Sequence, residues 1–207
     1  MNDKNLKKRI LIIAEGNEEK PYIEKILSFP NINKEVYLFS NVVNAKGATN
    51  IFARYQYEIQ RGFNDLILVF CDVDKGTEHF YDIMDKIGME FFIDKRDAIK
   101  VFIFVNPVTL QLVLLHFGNI HLSKVSKKEN SKYVEELIGI KNYDAKESQI
   151  KEIVNKIHSN SMELFKERVN KISTDIKAIP STNFLIFLQR FESDDTSWID
   201  EIQQLLK

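Results

Sequence analysis

The sequence predicts an α/β protein in which a mostly parallel four-stranded sheet, flanked by helices, is followed by a helical extension. Residues 9–117 alternate apolar strand-like runs with amphipathic segments four times, the pattern of βαβ units joined by right-handed crossovers. The strand-like runs lack polar alternation, as expected of strands covered on both faces. After about residue 123 the texture changes to Lys/Glu-rich helical periodicity. The expected organisation is an α/β domain over 1–122 and a helical extension packed on it over 123–207, with no repeat or low-complexity linker.

The elements follow in order. Ile10 to Ala14 reads Ile-Leu-Ile-Ile-Ala, a buried strand, and ends in the turn Glu15-Gly16-Asn17. A helix is expected from about Glu18 to Ser28, with Tyr22, Ile23, Ile26 and Leu27 as its inner stripe. Pro21 falls in its first turn, where a missing N–H costs little. Val36 to Val43 is the second strand, broken by Asn44-Ala45-Lys46-Gly47. Thr49 or Asn50 can cap a helix that runs to Arg61 and closes on Gly62. Leu66 to Cys71 is the third strand, ending in Asp72-Val73-Asp74-Lys75-Gly76, and a helix from about Glu78 to Ile87 stops at Gly88. Ile99 to Val105 is the fourth strand, ending in Asn106-Pro107, with a buried helix over Leu110 to Phe117. In the extension, periodic segments run near Ser131–Ile138, Lys146–His158 and Met162–Ile172. Pro180-Ser181 breaks the chain before Phe184–Phe191, and a last helix starts at Asp195.

Composition excludes several classes. With 29 basic and 30 acidic residues the net charge is −1. This is unlike a protein that coats phosphate backbones, but an enzyme touching a few phosphates needs no basic excess. One cysteine, Cys71, rules out an internal disulfide framework, and with four scattered histidines it rules out a Cys/His zinc site. The N-terminal apolar run is too short for a signal-peptide core, and no run approaches the ~20 residues that span a bilayer. The expected location is the cytoplasm.

The chemistry concentrates at strand ends, where open parallel sheets bind ligands. The first strand delivers Glu15, the third Asp72 and Asp74, the fourth Asn106. Residues two apart on an extended chain point the same way, and if the first and third strands are neighbours, ~4.8 Å apart, Glu15 can meet the Asp pair. Three converging carboxylates repel, and a hard divalent cation such as Mg²⁺ or Mn²⁺ removes the conflict. Lys75 and Lys46 are each either a solvated turn lysine or a phosphate contact. Asn106 shapes a strand-to-helix turn and could face the same rim. For His116 a core histidine is the first reading and an accessory catalytic role the second. Cys71 should be buried and inert, and Trp198 a packing anchor rather than a base-stacking platform.

Three segments carry a family resemblance. Residues 10–22, Ile-Leu-Ile-Ile-Ala-Glu-Gly-Asn-Glu-Glu-Lys-Pro-Tyr, resemble the first motif of TOPRIM domains, the fold shared by topoisomerases, bacterial primases and OLD-family nucleases. Val-Phe-Cys-Asp72-Val73-Asp74 resembles the TOPRIM Asp-x-Asp. The segment from Asn106-Pro107 to Leu115-His116-Phe117 resembles the RloB-like branch. The motifs span 10–117 in the family's order. Two positions depart: Glu18 stands where the first motif usually has Thr, and Leu110, beside Gln111, where an acidic residue is expected. The resemblance implies a TOPRIM-like fold and Mg²⁺-dependent phosphodiester chemistry on nucleic acid, in a mobile-element or phage-defence setting. Glu15 would be general acid/base or metal ligand, Asp72 and Asp74 metal ligands, and Glu19 an auxiliary ligand. Backbone N–H groups at Gly16 and Asn17, at a helix start, could cradle a phosphate.

Two other readings stand beside it. A TOPRIM-like module without catalysis could bind a partner such as an ATPase. An aspartyl-phosphate phosphatase of the haloacid-dehalogenase type would use an Asp-x-Asp-Gly-Thr motif. Here that motif follows the third strand rather than the first, and its Gly-Thr is displaced by one residue.

Overall fold

The computed structural model describes residues 6–207; residues 1–5, which open the expected first domain, lie outside it. Five strands form one sheet, β1 (Lys8–Ala14), β2 (Tyr37–Asn44), β3 (Leu66–Asp72), β4 (Phe102–Asn106) and β5 (Ser181–Thr182), in the order β2-β1-β3-β4-β5. The first four are parallel, and β5 runs antiparallel to β4. The sheet therefore has one strand more than expected. The extra strand is two residues long, with no apolar run to announce it. The Thr182 hydroxyl donates to the Phe104 carbonyl at 2.6 Å. The Asn183 amide donates to the Phe102 carbonyl (2.7 Å) and accepts from the Phe104 N–H (2.8 Å). Side chains here stand in for strand backbone.

Among the described residues ten α-helices accompany the sheet: α1 (Glu19–Ser28), α2 (Ile51–Arg61), α3 (Thr77–Phe91), α4 (Lys95–Ala98), α5 (Leu110–Phe117), α6 (Lys127–Ile138), α7 (Glu147–Asn155), α8 (Met162–Val169), α9 (Phe184–Glu192) and α10 (Ser197–Leu205). From β1 the chain crosses through α1 to β2 on one side, then through α2 to β3 on the other. Right-handed crossovers in opposite directions put α1 and α2 on opposite faces. Covered on both faces, β1 from Ile10 and β3 through Cys71 have every side chain buried, as their unbroken apolar runs require.

Two boundaries differ from expectation. The fourth strand begins at Phe102 rather than Ile99, because residues 99–101 close a 3₁₀ turn on the end of α4. The third helix does not stop at Gly88 but runs to Phe91. Gly88 serves packing instead: a Cβ there would lie 2.9 Å from the Ile93 carbonyl oxygen, where the chain folds back over the helix.

The segment after residue 122 contributes β5 to the sheet and α9 to its core. Phe184 packs between Tyr22 of α1 and Phe70 of β3 (ring centroids 5.7 and 6.0 Å), and Phe191 meets Phe39 of β2 edge-to-face at 5.0 Å. Trp198 is buried against Tyr37 and Phe191, its indole N–H donating to the Tyr37 hydroxyl at 3.0 Å. It is a packing anchor. On the open side of the sheet, β2 is an outer strand whose pairing with β1 slips by one residue between Phe39 and Asn41, leaving Ser40 as a bulge.

Candidate metal centre

Adjacent strands whose crossovers leave in opposite directions open a crevice at their carboxyl ends. Here those strands are β1 and β3, and Glu15 and Asp72 stand at their tips. The register sets Ala14 opposite Phe70, and the Glu15 N–H donates to the Phe70 carbonyl at 2.9 Å, extending the ladder by one residue. Asp72 pairs with Val105, and the Val73 N–H donates to the Val105 carbonyl at 2.9 Å. Glu15 is also anchored from the loop after β2: Gly47 N–H donates to the Glu15 carbonyl at 2.8 Å. Gly47 does this at φ 115°, a conformation that favours glycine.

Glu15, Asp72 and Asp74 each offer an oxygen, and these lie within 4.8 Å of one another. Glu15 and Asp72 are partly buried and Asp74 is exposed. Twice a Mg–O distance is about 4.2 Å. One small cation could thus touch all three after a shift of a few tenths of an ångström, or reach one of them through water.

Electrostatics favour occupancy. Burial pushes the Glu15 carboxyl up to about 7, and Asp74 adds to the rise. The Asp72 and Ala48 backbone and the Lys75 ammonium oppose it. Burial raises Asp72 well above its ordinary value, with Glu19, Glu15, Asp74 and Glu18 all contributing. Glu19, fully enclosed at 4% exposure, rises to about 7 through burial and the charge of Glu18. Burial also raises Glu18, against the hydroxyl of Tyr143, which donates to its Oε1. Five carboxylates therefore meet at one corner, Asp74 exposed and the other four partly or wholly buried, and Lys75, exposed, tempers Glu15. Sequence reading had missed Glu18 as a member, although spacing 15, 18, 19 across a helix start brings these side chains to one end of α1.

The donor set fits a hard divalent cation: all oxygen, anionic, partly water-free. A second observation agrees. The Thr109 hydroxyl, wholly buried beside Glu19, opposes that group's rise yet makes no hydrogen bond of ordinary geometry. Buried hydroxyls are seldom left unpaired. Gly16 brings the backbone close to the same cluster: a Cβ there would stand 3.1 Å from Glu19 Oε2.

The other candidates fall into two groups. Lys46, at φ 62°, and Lys75 are exposed on the loops after β2 and β3, one on each side of the Glu15 loop, and neither forms an ion pair among the described residues. The Asn17 side chain accepts from Asn44 at 2.8 Å, tying the loop after β1 to the tip of β2. Asn106 and His116 are engaged elsewhere. Asn106 donates to the carbonyls of Ile176 and Ala178 at 2.8 and 3.1 Å, holding the C-terminal segment. His116 is buried, stacked on Phe165 at 4.0 Å and within 3.2 Å of both the Tyr22 and Ser161 hydroxyls. Burial lowers its pKa to about 3, helped by Arg168. Cys71 is buried, its thiol pushed well up by desolvation. Leu110 is buried, and Gln111 spends its side chain on the Ile120 carbonyl and the Leu122 N–H. No described helix is long and apolar enough to cross a membrane. Comparison of the chain with family models, with curated proteins and with solved structures found no match.

Proposed function

We propose that the protein is a Mg²⁺- or Mn²⁺-dependent phosphodiester hydrolase acting on nucleic acid, built on a TOPRIM-like sheet. One observation carries this reading: five carboxylates gathered at the switch point of a parallel sheet, four of them partly or wholly buried, with no buried cation among the described residues to balance them. The likeness of its three strand-end motifs to TOPRIM domains, the first and third to their RloB-like branch, supports it.

Asp72 and Asp74 would hold the ion, with Glu15 beside them and Glu19 behind. A bound divalent cation would supply charge stabilisation for the phosphoryl oxygens as the bond breaks. The chain's own groups do the rest. Glu15, held near neutrality, has a carboxylate able to take a proton from an attacking water and return it to the departing oxygen. Lys46 and Lys75, on either side of the Glu15 loop, can grip phosphates flanking the scissile bond. Gly16 leaves room for a phosphate at the start of α1, where the helix end favours an anion.

The test is cleavage of single- and double-stranded DNA and RNA with Mg²⁺ or Mn²⁺, with Asp72→Ala as control. Hydrolysis by the wild type that vanishes in the variant supports the reading; hydrolysis that survives the substitution removes the site. A second reading has its own observation. Where the family resemblance expects an acid after Asn106-Pro107, Leu110 is buried and Gln111 is tied up structurally. A chain that binds Mg²⁺ through Asp72 but cleaves no substrate would be a partner-binding module, for instance for an ATPase.

A further inference from the structure

Along the outer face of α2 runs an alternating ladder of cations and rings. Asn50, Arg54, Tyr57 and Arg61 recur at helical spacing on one stripe, and Phe63 follows just past the helix end. Tyr57 is 51% exposed and Phe63 61%. The Arg54 and Arg61 guanidiniums lie 5.1 and 5.7 Å from the Tyr57 ring centroid, and Arg61 lies 5.2 Å from that of Phe63. Beneath them Glu58, 1% exposed, pairs with Arg54 at 2.8 Å and Arg61 at 3.3 Å. A buried carboxylate paired with two arginines tethers both guanidiniums beside the rings. It also leaves the stripe net cationic, more so with Lys46 at its head.

The stripe is continuous with the acidic corner. Asn50 donates its side-chain amide to the Lys46 carbonyl at 3.2 Å, and the next residue, Gly47, donates to the Glu15 carbonyl. From residue 50 to residue 61 the helix spans about 16 Å.

We infer that this face is a stacking track for single-stranded nucleic acid. Exposed rings with guanidiniums over them offer unpaired bases the outer planes of the stack, ring or guanidinium, and offer phosphates the N–H edges. A duplex hides those base faces and gains only the phosphate contacts. No exposed aliphatic side chain interrupts the stripe, whereas a protein-docking face of this size would bring an apolar centre. The inference deepens the hydrolase reading by naming its substrate as unpaired strand, and rests on that reading for the direction in which the strand enters.

Binding is measured in EDTA by fluorescence anisotropy, with labelled single-stranded DNA and RNA oligonucleotides and the corresponding duplexes. Wild type is expected to bind single strands more tightly than duplexes. Tyr57→Ala and Phe63→Ala should each weaken single-strand binding by about tenfold, Tyr57→Phe should retain it, and Tm should be unchanged in all three. Equal affinity for duplex, or undiminished binding in the alanine variants, overturns the inference. So does absence of oligonucleotide binding, including the case in which the face captures a protein instead. Binding through Tyr57 and Phe63 by a chain that hydrolyses nothing would sink the hydrolase reading and leave the track standing.

Discussion

At the residue scale, the acidic corner makes stability and metal binding opposite functions of pH. The folded-state pKa values of Glu15 and Glu19 lie near 7, above the ordinary 4.5. Between those values the folded chain binds more protons than the unfolded one, so metal-free stability falls as pH rises. Tm without metal should drop by roughly 5–10 °C from pH 5.5 to pH 8, and Mg²⁺ should restore it at pH 8 but not at pH 5.5. Differential scanning fluorimetry with and without EDTA reads this directly. Asp72→Asn should raise the metal-free Tm at pH 8 and erase the Mg²⁺ response. His116 works the other way. Its pKa is about 3 when folded against 6.5 when free, so the unfolded chain binds the extra proton and stability is lost as pH falls below about 6.5. That acid limb should be indifferent to Mg²⁺ and flatten in His116→Gln. Gly16→Ala tests the close approach to Glu19: the Cβ would push the carboxylate, weakening Mg²⁺ binding about tenfold by calorimetry with little change in metal-free Tm. Much at this scale was legible. Glu15, Asp72 and Asp74 announced themselves because each ends or follows an apolar run, and strand neighbours must meet. Glu18 and Thr109 were not, because each matters only through tertiary neighbours that a linear pattern does not name.

At the scale of elements, legibility tracks burial. β1 and β3 are apolar throughout because both faces are covered, and their ends were read to within two residues. β4 was read three residues too early because Ile99 and Val101 continue its apolar run while belonging to a 3₁₀ turn. β5 could not be read, since a polar pair held by Thr182 and Asn183 side chains carries no periodic signal. Gly88 misled for a different reason: glycine ends helices when the chain needs a left-handed residue, but here it lets Ile93 pass close above the helix. Gly88→Ala, which raises intrinsic helix propensity, is therefore expected to destabilise the fold by about 1–3 kcal/mol in urea titration.

At the scale of the whole molecule, the segment beyond residue 122 reads as an extension in sequence but closes the core in space. Phe184, Phe187 and Phe191 fill the space beside Tyr22, Tyr37 and Phe70, and burial of each ring contributes about 1.5–3 kcal/mol. A chain ending at Leu122 would expose those partners and lose β5 against β4. It is expected to be poorly structured, with weak near-ultraviolet circular dichroism and no cooperative melt. At the opposite border of the sheet β2 pairs on one side alone among the described residues, and there the bulge at Ser40 has an effect of its own. A foreign segment zipping onto the first half of β2 arrives one residue out of phase at the second half, so its side-chain pattern turns inside out midway. Such an interruption is expected to disfavour edge-to-edge pairing of these molecules.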